Sequence, residues 1–217
     1  MSPAWSLAVA SIGYLLGALP FGYVVARAHG VDIFKEGSGN PGATNVKRVL
    51  GEKFGAKGKR AGNLVFALDA VKGAVAAAWP FFSALPETEA RLLGLVGVIA
   101  AVLGHSFSIF TKFKGGKGVA TAAGGLIVLM PLSCSVGAVV WVLTFVITRY
   151  VSLGSVLAAV AVPATSWVRW YQGDLPVAFS VVATALGAFV IFRHRGNIKR
   201  LLAGTETRFA KKNPAQL

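Results

Sequence analysis

Long apolar segments alternate with short polar segments along the chain, a pattern that is typical of helices that cross a membrane. A helix needs about 20 residues to cross the hydrocarbon layer. The segments that we interpret as candidate spans are residues 3–28, 64–85, 92–103, 119–148, 151–168 and 175–192. Small residues recur four positions apart on several of them, as in the pairs Gly13 and Gly17 or Gly97 and Ala101. This spacing lets helix backbones approach closely.

The segment 119–148 decides the predicted number of helices. Its 30 residues are too many for one upright helix and few for two, and Met130-Pro131 stands at its centre. Proline removes a helical hydrogen bond and clashes with the preceding turn, so it favours a break. The segment therefore allows either one long span or two shorter ones.

The distribution of charge favours two. The polar segments 29–62 and 106–118, the tail from residue 193 and Arg149 together contain 18 of the 22 Lys and Arg residues. Basic segments of membrane proteins stay on the cytoplasmic side. With six spans the basic tail would lie outside, whereas with seven every basic segment is cytoplasmic. We therefore predict an all-α integral membrane protein, a seven-helix transmembrane bundle with its N-terminus outside and its C-terminus cytoplasmic.

Composition supports a membrane protein with an anionic partner. The 217 residues are 55% hydrophobic and 14% charged, against about 25% charged in soluble domains. The net charge of +14 would indicate nucleic acid on a soluble protein, but here it indicates basic loops and an anionic ligand or lipid surface. We predict no nucleic-acid partner. We also expect the apolar N-terminal segment to be an uncleaved first helix, because it has no basic region before it.

Cysteine and histidine usage argues against a metal centre. The chain has one cysteine, Cys134, and its three histidines lack the close spacing of metal ligands. A disulfide framework or a thiolate cluster is therefore excluded. We predict neither a metal nor another cofactor.

The first polar segment with chemical character is residues 37–48, GSGNPGATNVKR. Glycine and asparagine allow turns that can direct several backbone N–H groups toward one point. Lys47 and Arg48 add positive charge. The segment predicts an anion-binding loop, and the alternative interpretation is an ordinary solvated connection.

A second glycine-rich segment, KGGKG at residues 114–118, resembles a phosphate-binding loop. It is not a Walker A motif, because Gly118 follows Lys117 where serine or threonine is required. Glycine still lets backbone N–H groups approach an oxyanion, and we expect Lys117 to begin the next helix, whose N-terminus favours negative charge.

Polar side chains within the apolar segments provide further candidates. Asp69 and Lys72 are three positions apart and therefore share a helix face. Charges inside membrane helices usually pair, so we interpret the two as a structural ion pair, with direct ligand binding as the alternative. His105 closes the third span and could bind a ligand or simply end the helix.

The basic tail contains three more polar candidates. His194 and Asn197 are one turn apart if the last helix continues, and both would then face one site. Glu206 is the one acid among the cations of the tail, and we predict that it orients one of them.

Together these segments resemble the bacterial acylphosphate-dependent glycerol-3-phosphate acyltransferases, integral membrane enzymes of phospholipid synthesis. The resemblance extends over residues 37–48, 68–73, 104–121, 148–155 and 194–206, in the same order. Two residues depart from the family pattern: Ser108 stands where proline is usual, and Gly154 where serine is common. The His-x4-Asp dyad of other acyltransferases is absent, because Phe110 and Lys199 occupy the fifth positions after the two histidines that could begin it.

The resemblance implies a single transmembrane acyltransferase domain over residues 1–217, in the bacterial inner membrane with a cytoplasmic active site. The implied reaction transfers a fatty acyl group from acyl-phosphate to the 1-hydroxyl of sn-glycerol 3-phosphate. Its products are 1-acylglycerol 3-phosphate (lysophosphatidate) and phosphate. The implied partners are therefore glycerol 3-phosphate, a fatty acyl-phosphate and membrane lipid.

The resemblance also implies a set of site residues. The catalytic candidates are Ser38, Arg48, Lys117, His194 and Asn197. The substrate-binding candidates are Gly37, Gly39, Asn40, Thr44, Asn45, His105, Lys114, Gly115, Gly116 and Glu206. In this hypothesis Ser38, Arg48 and Lys117 bind phosphate, whereas Asn45, His194 and Asn197 hold the glycerol.

The identity of the base and the class of protein stay open at this point. Either His194 or an oxygen of a substrate phosphate could accept the hydroxyl proton. A transporter or channel for an organic phosphate would use the same cationic segments without chemistry, and a lipid-binding scaffold is a third interpretation. Release of phosphate from an acyl-phosphate separates these classes.

Overall fold

The structure is a computed structural model that describes residues 2–209, and helices account for nearly all of its regular structure. No strand occurs in this described part of the chain. The α-helices in chain order are α1 Pro3–Ala18, α2 Phe21–Ala28, α3 Ala43–Ala78, α4 Glu87–Ser106, α5 Val119–Leu129, α6 Pro131–Thr148, α7 Val151–Tyr171, α8 Val177–Arg193 and α9 Arg195–Leu202. Short 3-10 helices follow α3 and α4, at Trp79–Phe82 and Ile109–Thr111.

Within residues 2–209, five helical segments are long and apolar enough to cross a membrane. A sixth is added if α8 and α9, which are bent by 58° relative to each other, count as one span. The prediction of an all-helical integral membrane protein is confirmed. Helix α5 is apolar but shorter, with 11 residues. The count of seven spans and their orientation stay predictions.

The chain divides after Pro131 into two compact units. The first unit contains α1 to α5, and the second contains nearly all of α6 and then α7 to α9. Helix α5 ends at Leu129 and α6 begins at Pro131, so the break expected at Met130-Pro131 is present. Proline suits the first position of a helix, where its missing N–H would have no helical partner.

The first apolar segment, by contrast, is not one continuous helix. It breaks at Leu19-Pro20, where Leu19 has φ −55° and ψ 117°, and α2 begins at Phe21. Proline disfavours the helical conformation in the residue before it. The break leaves backbone carbonyls of α1 without a helical partner, and it becomes part of the site described below.

The segment 29–62 is also more helical than predicted, because α3 begins at Ala43 and consists of two helical parts that join at Gly55, a non-helical residue with φ +59° and ψ −129°. Lys47 and Arg48 therefore lie on a helix and not in a loop. The signal that sequence reasoning missed is the spacing of Val46, Val49 and Leu50, which are all buried. They pack in one apolar cluster with Ala26, Val31, Ile33 and Val65.

Helix α1 packs closely against α4 within the first unit, at the small residues that the sequence singles out. A Cβ added to Gly13 would lie 2.7 Å from the backbone oxygen of Gly97, and one added to Gly17 would overlap the backbone of Ala101. The close approach of helix backbones that the spacing of small residues predicted occurs here, and the structure shows that α1 and α4 are the partners.

Candidate functional site

The first glycine-rich segment forms a turn before α3 that is held from inside by one amide side chain. Asn45, the third residue of α3, is 4% exposed. Its Nδ2 donates to the backbone oxygens of Glu36 and Asn40, both at 3.0 Å, and its Oδ1 accepts the N–H of Ser38 at 3.0 Å. Gly37 has φ +57°, a left-handed conformation that glycine tolerates best. Ser38 is an exposed residue of this turn.

The other candidates of this segment are distributed between the turn and the start of α3. Gly39 is a second left-handed position, with φ +66°. Thr44 and Arg48 are half-buried on the first two turns of α3. Glu36 pairs with Lys53 at 2.6 Å, which ties the turn to a later part of the same helix.

The second glycine-rich segment follows two strained residues. Lys112 and Phe113 have φ +52° and +60°, which is uncommon for residues other than glycine and typical of functional segments. Thr111 Oγ1 donates to the Lys114 oxygen at 2.7 Å, which closes this turn. Lys117 is half-buried, and α5 begins two residues later, at Val119. The expectation that Lys117 itself begins the helix is wrong. Gly118, which has a left-handed conformation with φ +82°, stands between Lys117 and the first helical residue.

His105 supports the second segment from α4. The Gly116 N–H donates to the His105 backbone oxygen at 3.1 Å. A Cβ at Gly116 would overlap the His105 ring, and a Cβ at Gly115 would overlap the His105 backbone. Asn40 Nδ2 donates to the Gly115 oxygen at 3.4 Å, so the two glycine-rich segments touch. The structure therefore brings together two loops that are far apart in sequence.

A buried charge cluster lies beside the second segment. Lys72 Nζ is 2.8 Å from Asp69 Oδ1, and His105 Nδ1 is 3.5 Å from the same oxygen. Lys72 and Asp69 are 4% and 3% exposed. Lys72 also donates to the Leu19 oxygen at 3.1 Å and stands over the Phe21 ring. The expected ion pair is present, and its ammonium also satisfies a carbonyl at the break between α1 and α2.

These groups surround a small pocket that is partly open to solvent. Six predicted site residues line it: Asp69, Lys72, His105, Lys114, Gly115 and Gly116. Sequence reasoning missed the lining by Leu19, Pro20, Ser108 and Thr111. Ser108 Oγ donates to the Ala18 oxygen at 2.5 Å. The residue that departs from the family pattern therefore binds a carbonyl at the break between α1 and α2. The sequence signal that could have indicated this part of the lining is Pro20, a proline inside an apolar segment.

In the second unit, Glu206 is the centre of a separate polar cluster. It accepts hydrogen bonds of 2.7 Å from Ser152 Oγ, Asn197 Nδ2 and Arg200 Nε. Burial raises the pKa of the Glu206 carboxyl, but the three donors and the charge of Arg200 outweigh it and hold that pKa below its ordinary value of 4.5. The carboxylate orients Arg200, as predicted for a cation of the tail, and also Asn197. Ser152 was not predicted as a partner.

The geometry around His194 differs from the expectation of a continuing helix. Helix α8 ends at Arg193, and His194 lies at the 58° bend before α9. His194 is 3% exposed, and its Nδ1 is 2.8 Å from the Val190 oxygen. Since a carbonyl only accepts hydrogen bonds, Nδ1 carries the proton, and in the neutral ring Nε2 is the acceptor. At the bend, the ring of His194 thus caps the last turn of α8.

The apolar spans, the paired charges inside them and the two polar clusters define the class of protein: an integral membrane protein with a cationic pocket built on glycine-rich loops. A family model described as glycerol-3-phosphate acyltransferase matches residues 7–204. The chain belongs to this family, as the motifs had indicated, and it is an acyltransferase enzyme.

Relatives of the same name match over nearly the whole chain. The protein from Geotalea daltonii is 43% identical over 198 residues, with 91% of this chain and 94% of the relative covered. That from Aquifex aeolicus is 42% identical over 198 residues, with 90% and 95% covered. That from Chlorobaculum parvum is 39% identical over 228 residues, with 93% and 95% covered.

Two crystal structures are similar to this one, both of PlsY, an integral membrane glycerol 3-phosphate acyltransferase. Its glycerol 3-phosphate form has a TM-score of 0.83 at 39% identity and covers 94% of this chain and 96% of PlsY. Its lysophosphatidic acid form has a TM-score of 0.80 at the same identity, with 94% and 95% covered.

Proposed function

We propose that this enzyme transfers a fatty acyl group from acyl-phosphate to the 1-hydroxyl of sn-glycerol 3-phosphate and releases 1-acylglycerol 3-phosphate and inorganic phosphate. The observation that carries the proposal is the pair of forms in which the similar enzyme PlsY is known, with glycerol 3-phosphate and with lysophosphatidic acid. Adding one acyl group to the first compound gives the second. The family membership of this chain supports the same acceptor.

The character of the first unit supports an acyl-phosphate as donor. An acyl-phosphate is a mixed anhydride that is already activated, so the enzyme mainly has to hold two anionic substrates close together and stabilise developing charge. Two phosphate groups repel each other unless cations surround them. Arg48, Lys114 and Lys117 lie on or beside the two glycine-rich segments that touch through Asn40.

We assign phosphate binding to Ser38, Arg48 and Lys117. The proposal gives the acceptor glycerol to His194 and Asn197, whose orientation in the second unit depends on Val190 and Glu206. Asn45 takes a different part, because the contacts of its amide with the first turn occupy both of its N–H donors.

In the proposed reaction the 1-hydroxyl oxygen attacks the carbonyl carbon of the acyl-phosphate. The bond between that carbon and the bridging phosphate oxygen breaks, and inorganic phosphate leaves. We propose that an oxygen of a substrate phosphate accepts the hydroxyl proton, so that the protein needs no formal base. Replacement of His194 with alanine tests this, since loss of the acidic limb of the pH–rate profile near pH 6 would instead identify His194 as the base.

The donor is tested with the purified full chain in detergent. Palmitoyl-phosphate and palmitoyl-CoA are each incubated with glycerol 3-phosphate, and both inorganic phosphate and lysophosphatidate are measured. Equal release of the two products from palmitoyl-phosphate, with no transfer from palmitoyl-CoA, is the expected result. Transfer from palmitoyl-CoA alone would refute the proposed donor. Uptake of glycerol 3-phosphate into proteoliposomes without acylation would favour a transporter.

We further propose seven spans, with α5 as a short crossing and all basic segments on the cytoplasmic side of the inner membrane. Lys35→Cys and Arg195→Cys, each in a Cys134→Ser background, place a thiol at an exposed position before and after the spans in question. An impermeant maleimide should label both in inverted vesicles and neither in right-side-out vesicles. Labelling of the two thiols from opposite sides would refute the seven-span topology.

A further inference from the structure

We infer that Asn45 is a positioning residue that shapes the Ser38 turn and acts on substrate only through that turn. The inference rests on the proposed function and concerns the same site. Asn45 belongs to the first turn of α3, so a rigid element carries the amide that the turn wraps around. The side chain is buried, and water therefore cannot take over its contacts.

The hydrogen bonds of this amide leave no N–H for a ligand. Its two Nδ2 protons go to the carbonyls of Glu36 and Asn40, one before and one after Ser38. Its oxygen accepts the Ser38 N–H, so the main chain of Ser38 is bound to α3 although the residue itself is exposed. A Cβ at Gly37 would overlap Asn45 Oδ1, which shows how closely the turn surrounds this amide.

The same contacts continue toward the second glycine-rich segment. Asn45 binds the carbonyl of Asn40, and the side chain of Asn40 accepts the Gly42 N–H at 2.9 Å and donates to Gly115. The position of Asn40 between the two loops therefore depends on Asn45. A single buried amide sets both the orientation of Ser38 and the contact between the loops.

The discriminating substitution is Asn45→Asp, which keeps the acceptor for Ser38 but removes both donors. The carboxylate then faces two carbonyl oxygens, and the turn shifts away from the conformation that α3 imposes. We expect kcat/KM for glycerol 3-phosphate to fall about 30- to 100-fold, which corresponds to two lost hydrogen bonds and their unsatisfied acceptors. The matched control is Asn63→Asp, an exposed asparagine in the part of α3 that follows Gly55, for which we expect no change.

A measurement without substrate distinguishes positioning from direct contact. A spin label on Lys35→Cys in the Cys134→Ser background reports the mobility of the chain next to the turn, since the Lys35 side chain is 83% exposed. Asn45→Asp should raise this mobility in the substrate-free protein, and Asn63→Asp should not. Unchanged mobility together with a lower kcat/KM would mean that Asn45 touches substrate, which would overturn the inference.

Gly37→Ala perturbs the packing of the turn against the Asn45 amide from the side of the turn. If Asn45→Asp does not fold, this variant tests the inference in its place. It should raise the mobility in the same way, and the double variant should be no worse than the more severe single variant. Additive losses, or unchanged mobility in Gly37→Ala, would overturn the inference. Because the spin-label result needs no turnover, it stays decisive even if the purified protein releases no phosphate from palmitoyl-phosphate, which would refute the proposed function alone.

Discussion

Replacement of Asp69 with asparagine removes the carboxylate that compensates the Lys72 ammonium inside α3. The two side chains are nearly completely buried, and their closest atoms are 2.8 Å apart. Removing one partner of a buried ion pair costs about 3–5 kcal/mol, because the remaining charge has no water around it. The Leu19 oxygen and the Phe21 ring still face the ammonium, so we expect the lower part of this range.

The opposite substitution, Lys72→Met, should lower the stability of the fold less than Asp69→Asn does. His105 Nδ1 lies 3.5 Å from Asp69 and can still partner the carboxylate. The Leu19 carbonyl loses the ammonium at 3.1 Å but still accepts the N–H of Phe21 at 3.1 Å, so it adds little to the cost in stability. The double variant Asp69→Asn with Lys72→Met should therefore be more stable than the sum of the single losses indicates.

The assay is unfolding in detergent, followed by tryptophan fluorescence over a temperature ramp, with the order of the variants as the readout. Glu87→Gln is the matched control, because its pair with Arg91 spans 3.8 Å and the Glu87 side chain is 75% exposed. An exposed pair contributes about 0–1 kcal/mol. If Asp69→Asn unfolds at the same temperature as Glu87→Gln, the assignment of a stabilising buried pair is wrong.

Two further predictions concern each unit separately. Gly116→Ala places a methyl group against the His105 ring, so kcat/KM should fall at least about tenfold, and the unfolding temperature should also fall because overpacking costs about 1–3 kcal/mol; wild-type kinetics would refute the contact. Glu206→Gln should lower both stability and kcat through a displaced Asn197. Because the pKa of Glu206 is depressed in the fold, its stabilising effect is complete above pH 4.5 and is lost as the pH falls through the lower pKa. The difference in unfolding temperature between wild type and Glu206→Gln should therefore shrink below pH 4.5, and a constant difference would contradict this reasoning.

Local patterns predicted several features correctly. The apolar segments indicated membrane helices, Pro131 indicated a break, and the spacing of Asp69 and Lys72 indicated a shared face. Such features depend on neighbours within one or two helical turns, which the order of residues determines directly. The isolation of Glu206 among cations was a signal of the same local kind.

Other features depend on partners that are distant in the chain, and periodicity contains no information about them. The contacts of Asn40 with Gly115 and of Lys72 with Leu19 join segments that are 75 and 53 residues apart. A backbone carbonyl offers the same acceptor at every position, so only the packed fold selects which side chain meets it.

The amino-acid sequence by itself determined the membrane class, the family and the identity of the polar residues. The tertiary structure decided which of these polar residues are already bound to other groups of the protein. It commits the Asn45 amide to the Ser38 turn, the Lys72 ammonium to the broken first span, and Glu206 to three donors of the second unit. Burial is the physical reason: away from water each polar group must find its partner within the protein, and that choice is made by the whole fold at once.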